Sequence, residues 1–341
     1  MIPDPPIGRT VLDRLRVPGR PRPAVDPDRS RNLRRRLDDA LSSLVRPEGA
    51  GPRPAGSGGG RQLAGEGPLV VTKARLNRVL TCPSHIPVDG ADGPWPTLAL
   101  ATGAVVDAAF RQLVTVGSID DPVADGLAAL RVGGQEQLLH WVAELPDAEW
   151  SRLVSSVEEQ AEGLRRRWPP LDPAWLPRTQ EPLRVAVAGG AVELFARVDL
   201  MIGIPGGETA SVALLELKSG VRRPDHRAEL RYAALLEALR HPAPPFVSAL
   251  YYTRTGELDV EWVTDEMLAD TADRTIAGVR RLLEEHSGVP SSPLEPALCL
   301  ACRAVDDGPR PATRGRSAGP VAAAVPEGRA AAAVRAAGGV S

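Results

Sequence analysis

The chain has 341 residues, 43% hydrophobic and 25% charged, with a formal net charge of −2. This is the composition of a soluble globular protein with room for a sizeable core in one large or two ordinary domains. Three cysteines, an odd and small number, exclude a disulfide framework. No uninterrupted apolar stretch approaches the roughly 18 residues of a membrane span. Residues 1–6 lack the basic and apolar regions of a secretory signal, so a cytoplasmic protein is expected.

Residues 1–65 read as a Pro/Arg/Gly-rich tail that ends, over 51–60, in a flexible-linker composition. Within it, 29–45 could form a short basic helix (Arg31, Arg34, Arg35, Arg36) with little to bury. Residues 303–341 have a similar composition, and both tails are expected to be disordered. The folded unit is then 66–302. Thr72 has the character of an N-cap for a short helix over 73–80 that leads to Cys82-Pro83. Apolar spacing predicts helices over 98–116, 125–144 and 148–167. After the proline-rich break at 169–182 the period becomes strand-like. Strands over 183–188 and 192–202 meet at Gly189-Gly190 as a hairpin, and 211–217 is a third strand. A strongly apolar helix follows over 227–240. A second hairpin, 246–253 and 258–263, turns at Thr255-Gly256, and a last helix covers 264–285. The fold class expected is α/β, a central mixed β-sheet flanked by helices.

Residues 197–220 concentrate the chemistry. Asp199 lies in one apolar run, Glu216 and Lys218 in the next, with turn-forming residues 204–209 between them. Side chains two apart on a strand share a face, so Glu216 and Lys218 project together, and the hairpin can bring Asp199 beside them. Two carboxylates and an ammonium in otherwise apolar strands point to a divalent-metal site. Taken alone, the same residues also fit a surface ion pair, worth little, with Asp199 at a strand end. One count favours the first reading. Of the 41 basic residues only Lys73 and Lys218 are lysine. In a chain so rich in arginine, alanine and proline, as a GC-rich genome produces, a replaceable lysine will usually have drifted to arginine. Lys218 is therefore expected to be needed as a compact point charge.

These residues resemble the PD-(D/E)xK nuclease superfamily, in particular its RecB-like branch. The resemblance rests on Arg-Val-Asp199-Leu, Leu-Leu-Glu216-Leu-Lys218-Ser-Gly and Ala228-Glu-Leu-Arg-Tyr232, with Asn-Arg-Val-Leu-Thr-Cys82-Pro and Thr102-Gly103-Ala-Val-Val-Asp107 upstream and Cys299-Leu-Ala-Cys302 downstream. It covers most of 70–302. It implies a restriction-endonuclease-like fold and a DNA nuclease that hydrolyses phosphodiester bonds by metal-activated water. By this resemblance Asp199 and Glu216 ligate Mg²⁺ or Mn²⁺, hard cations that prefer oxygen, and the Leu217 carbonyl is a further ligand. Lys218 orients the water or stabilises the transition state as a fixed cation. Tyr232, with Arg231, holds the phosphate backbone or positions Lys218.

The match has departures. RecB-like members usually carry a metal-ligating histidine four residues after the glycine of the early helix. Here Asp107 holds that place, an acceptable ligand for a hard cation. The glutamine usually found four residues before the tyrosine is Ala228, and neither Glu229 nor Arg227 is an obvious substitute. Some RecB-like nucleases hold a four-cysteine iron–sulfur cluster. Cys82 matches the early cysteine and Cys299 and Cys302 two of the late three, so a cluster or a zinc ion needs an unusual fourth ligand such as Asp306, Asp307 or His85. Otherwise the three are reduced thiols packed together.

Charge bears on the partner. Residues 1–61 carry a net +6 and 303–341 a net +3, which leaves about −11 for 62–302. A nucleic-acid surface is normally basic. Arg165–Arg167, Arg222, Arg223 and Arg227 could line a groove, the basic tails add nonspecific attraction, and a protein partner could supply further DNA affinity. The departures and the acidic core also suit an alternative, a nuclease-fold protein that no longer cuts and serves as a binding or scaffold subunit.

Overall fold

The computed structural model describes residues 22–45, 67–82, 96–206, 208–286 and 298–300, with the single positions 15, 294 and 302. In chain order the elements are α1 (Pro27–Val45), β1 (Leu69–Thr72), α2 (Lys73–Val79), α3 (Leu98–Thr115), α4 (Pro122–Val132), α5 (Glu136–Ala143), α6 (Asp147–Arg167), β2 (Arg178–Val187), β3 (Val192–Ile202), β4 (Ala213–Lys218), α7 (Pro224–Arg240), β5 (Val247–Tyr252), β6 (Glu257–Trp262) and α8 (Asp265–His286). Six strands form one mixed sheet in the order β1-β3-β4-β5-β6, with β2 also paired to β3. Helices flank both faces. One core is built with α1, α2, α7 and α8 (Leu37, Leu76, Leu235, Leu268), the other with α3 to α6 (Val105, Leu127, Leu138, Leu153). The α/β class with a helix-flanked mixed sheet is therefore as expected.

One feature of the pairing positions the site. Antiparallel β2 runs along β3 from Val192 to Met201 and so occupies one of its edges. The other edge is shared end to end. Parallel β1 pairs with residues 192–195, and antiparallel β4 pairs with 200–202. A strand has two edges, so β1 and β4 approach each other head-on along the same one, leaving 196–199 between their C-terminal ends. Lys73 follows β1 directly, and Glu216 to Lys218 close β4. The sheet thus forks at Asp199.

Several elements differ from expectation. Strand β1, only four residues long, was not foreseen. Strand β2 begins at Arg178 and runs through Pro182, which pairs with Arg197. It is an edge strand, where a missing N–H costs no ladder bond to a further neighbour. The single helix expected over 125–144 is two, α4 and α5, broken where Gly134 takes φ +70°. The tail expected over 1–65 contains α1, whose Leu33, Leu37 and Leu41, four apart, form one apolar stripe buried in the first core. The expectation that this helix has little to bury is overturned. Arg36 ties it to Asp273 of α8 at 2.6 Å, and Asp38 accepts the Ala188 N–H at 2.8 Å. Helix α3, at 18 residues and a mean hydropathy of 1.2, also meets the length and composition of a membrane span. Its Val105, Val106 and Phe110 are packed in the second core, and it carries Asp107 and Arg111. The expected tail over 303–341, and His85, Asp306 and Asp307, lie outside the described residues.

Candidate functional site

A cleft of about 460 Å³ opens at the fork, and Lys73, Asp107, Asp199, Glu216 and Lys218 all line it. Each comes from a different local cause. Thr72 caps α2, its hydroxyl accepting the Arg75 N–H, so the chain turns from β1 into the helix at Lys73. Asp107 is carried by α3, which approaches the end of β4 closely at Gly103. A Cβ there would lie 3.0 Å from the Ser219 hydroxyl. Asp199 sits where β3 changes phase. Val192, Leu194, Ala196 and Val198 belong to the first core, but Leu200 belongs to the second. The pairing with β2, continuous on both sides, skips Asp199 and Gln180, and Gln180 has φ +54°. Strain at a non-glycine residue of this kind costs of order 1–3 kcal/mol and is retained where surroundings enforce it.

That distortion aims Gln180 into the acidic cluster. Its amide nitrogen donates to Asp107 Oδ1 at 2.9 Å and to Asp199 Oδ1 at 3.1 Å. The other oxygen of Asp199 accepts the Leu217 main-chain N–H at 2.8 Å. Leu217 thus meets Asp199 through its N–H, while its side chain packs against the second core. Asp107 is also paired with Arg111 at 3.3 Å.

Glu216, 1% exposed, is gripped by both lysines of the chain. The Lys73 ammonium takes Oε1, and the Lys218 ammonium lies 3.2 Å from Oε2. Lys218 also donates to Glu229 of α7 at 2.6 Å, and the second Glu229 oxygen accepts from Asn77 of α2 at 3.2 Å. The network Lys73–Glu216–Lys218–Glu229–Asn77 therefore runs from one end of α2 to the other by way of β4 and α7.

Charge and burial set the protonation of these groups. Burial, then the neighbouring Glu216 and Asp107 carboxylates, push Asp199 up to about 7. Burial also raises Asp107, with Arg111 opposing it. Burial would raise Glu216 too, but the Lys73 and Lys218 ammonium groups outweigh it and hold this carboxyl below its usual range. Burial would lower Lys218, but Glu216 and Glu229 reverse the sign and keep it charged. Three mutually repelling carboxylates, oxygen donors only, are a suitable set for a hard divalent cation. The Gln180 amide, a hydrogen-bond donor bridging two of them, makes the kind of contact such a cation would make. Asp107, Asp199 and Glu216 therefore fit Mg²⁺ or Mn²⁺ by donor chemistry.

Tyr232 is not brought to the cleft. It is 2% exposed, and its hydroxyl donates to the Val71 carbonyl at 2.8 Å. It straps α7 to β1, just before Lys73. Arg231 is engaged by Glu261 at 2.8 Å. The pair is expected to hold the phosphate backbone or to position Lys218; in the structure Tyr232 contacts Val71 and Arg231 contacts Glu261. Five of the six arginines expected to line a groove are ion-paired: Arg165 and Arg166 with Glu162 at 3.3 and 3.7 Å, Arg222 with Glu257 at 2.7 Å, Arg223 with Asp225 at 3.0 Å and Arg227 with Asp259 at 2.6 Å.

Sequence reasoning missed Lys73, Gln180 and Glu229 as parts of the site. Lys73 carries the same signal as Lys218, its rarity in the chain. Glu229, next to Ala228, contacts Lys218 from the next helix. Gln180 had no signal, because it falls in a proline-rich segment that does not read as strand.

The three cysteines form a second cluster. Cys82 Sγ lies 3.6 Å from Cys302 Sγ, the Cys82 N–H faces Cys299 Sγ at 3.4 Å, and all three sulfurs fall within 4.8 Å of one another. Among the described residues, no other trio of Cys, His, Asp or Glu side chains is drawn together that tightly. The acidic trio is looser, with Gln180 and two lysines among its oxygens. The cysteine trio could hold a metal ion such as zinc, and it joins the chain after α2 to the segment after α8.

A comparison with protein-family profiles finds no match, and neither does a search of curated proteins.

Proposed function

We propose that the chain is a metal-dependent nuclease of the PD-(D/E)xK kind, on a restriction-endonuclease-like fold, which hydrolyses phosphodiester bonds of DNA. The observation that carries this reading is the convergence of Asp107, Asp199, Glu216 and Lys218 at the fork of the sheet, lining one cleft. Asp107, Asp199 and Glu216 would hold Mg²⁺ or Mn²⁺, which supplies an activated water and neutralises charge on the scissile phosphate. The protein's part is positional and electrostatic. Asp199 is fixed by the Leu217 N–H, so its free oxygen faces the cleft once Gln180 withdraws. Lys218, held by Glu229 and kept charged, orients the attacking water and faces the negative charge that develops on the phosphoryl oxygens. With five of the six rim arginines ion-paired, DNA contact is expected to be weak and salt-sensitive, with the basic terminal stretches or a partner protein adding affinity. The cysteine trio, completed by a fourth ligand, would hold zinc or an iron–sulfur cluster as a clip between the two ends of the domain.

The test uses linear duplex and single-stranded DNA with Mg²⁺ or Mn²⁺, beside Lys218→Ala. Cleavage that needs the ion and vanishes in the variant is the expected result. No metal-dependent cleavage of any substrate would refute the enzyme and favour a non-cutting, nuclease-fold binding subunit.

A further inference from the structure

Lys73 is the part of the cleft that the proposed chemistry leaves without a task. The two lysines of the chain stand on different elements, 145 positions apart in sequence numbering, yet their ammonium groups close on the same carboxylate. Glu216 offers one oxygen to each. Each ammonium takes a single oxygen, a contact that suits a compact point charge, in a chain where the other 39 basic residues are arginine.

The two ammonium groups are not equivalent. Lys218 is clamped between Glu216 and Glu229, and its side chain is 15% exposed. Lys73 has Glu216 as its carboxylate partner and a side chain 27% exposed on the cleft wall. It is also placed with care. Tyr232 pins β1 at Val71, Thr72 caps α2, and Asn77 anchors the same helix to Glu229.

A divalent cation on Glu216 would compete with Lys73 for the same oxygens and repel its charge. Lys218, held from its other side by Glu229, stays, whereas Lys73 has its flexible four-carbon stem and the open cleft. We propose that Lys73 is a second catalytic cation of this cleft, which leaves Glu216 when a divalent ion takes that carboxylate and binds a non-bridging oxygen of the scissile phosphate. The proposal rests on the nuclease reading above and adds to it a substrate contact by a residue outside the motif that suggested it.

Two readouts test it, one of them independent of cleavage. The first is Mn²⁺ binding to the metal-free full-length protein, followed by paramagnetic resonance, for wild type, Lys73→Gln, Lys73→Arg and the surface control Arg152→Gln. Removing the competing ammonium should tighten Mn²⁺ binding several-fold in Lys73→Gln and leave Arg152→Gln at the wild-type value. The second is DNA cleavage at saturating Mn²⁺. Lys73→Gln should lose on the order of 100-fold in kcat/KM, the usual effect of deleting one charge-stabilising donor, and Lys73→Arg should retain part of it. Far-ultraviolet circular dichroism shows which variants fold, and Lys73→Arg keeps the test open if Lys73→Gln does not. Weaker Mn²⁺ binding in Lys73→Gln would make Lys73 a structural support and overturn the proposal. Wild-type rates in Lys73→Gln would also overturn it while leaving the nuclease reading intact. Wild-type protein that neither binds Mn²⁺ nor cuts would overturn both.

Discussion

Replacing Tyr232 by phenylalanine separates a strap from a substrate contact. The ring is 2% exposed in the first core, and phenylalanine keeps that packing. What is lost is one hydroxyl donating to Val71 at 2.8 Å, in a place water does not reach. The net value of such a bond is about 1 kcal/mol, and the Val71 carbonyl left behind adds a desolvation cost, for a total of about 1–3 kcal/mol. For a folded unit of this size that is roughly 2–12 °C in Tm, since 1 kcal/mol corresponds to about 2–4 °C. Urea unfolding followed by tryptophan fluorescence gives the stability, with an unchanged m-value showing that the transition stays comparable. Cleavage measured on the same preparations should fall by only a few-fold, through slight loosening of β1 and of Lys73 behind it. A stability unchanged within about 0.5 kcal/mol, together with a 100-fold loss of cleavage, would refute the strap and return Tyr232 to the phosphate.

Other perturbations probe the remaining parts. Leu37→Ala empties a fully buried position of α1 and should cost about 2–5 kcal/mol by the same urea assay, whereas a truly solvent-exposed helix would lose nothing measurable. Gln180→Gly relieves a φ of +54° but deletes two hydrogen bonds to carboxylates, so the metal-free variant should be about 1–2 kcal/mol less stable and gain more from Mn²⁺ than wild type does. An equal Mn²⁺-induced shift of Tm in the two proteins would refute the view of the amide as a stand-in for a cation. His226, 7% exposed, has its pKa lowered from 6.5 to about 4 by burial and then by Lys218. The unfolded imidazole takes its proton first, so this contribution is complete above about pH 6.5 and declines as pH falls toward 4. It should amount to about 2 kcal/mol after allowance for solvent in the cleft, and His226→Gln should flatten the urea midpoint over that interval. Protein purified without oxygen should carry about one metal centre per chain, zinc by elemental analysis or an iron–sulfur cluster by broad visible absorbance, and Cys299→Ser should lose it. Metal-free wild type of unchanged stability would leave the trio as packed thiols.

How much of this was legible follows from what each residue's neighbours are. The hairpin of β2 with β3, the strand carrying Glu216 and the long helices are governed by local apolar periodicity, and they could be placed within a few residues. Strand β1 is four residues beside a linker-like stretch, too short for a period to register. Helix α1 was visible as a helix but not as part of the core. Its three buried leucines have a partner only once α7 and α8 are packed, and its arginines dominate the composition. The proline at 182 hid the first half of β2, because a chain read without knowledge of its edges treats proline as a break. At the site, motif residues on one hairpin were readable from spacing. Those that reach it from elsewhere, Lys73 from β1–α2 and Gln180 through a distorted backbone, depend on tertiary placement.

The fork explains why a site should form here. Where a strand keeps neighbours on both edges, every N–H and C=O is engaged and side chains are committed to a core. At residues 196–199 one edge of β3 is free, between the ends of β1 and β4, and the Leu217 N–H turns from strand pairing to the Asp199 carboxylate. The phase shift at Asp199 and the positive φ of Gln180 occur at that same point. Burial, and then the repulsion among the acidic side chains so gathered, raises Asp199 to about 7, and the fold answers with an amide, two lysines and Arg111. A structural ion-pair network also perturbs its members, but it has no need of an open cleft. This cluster instead leaves Asp199 strongly perturbed and Lys73 partly exposed beside an open cleft, an arrangement that a divalent cation and a phosphate would complete.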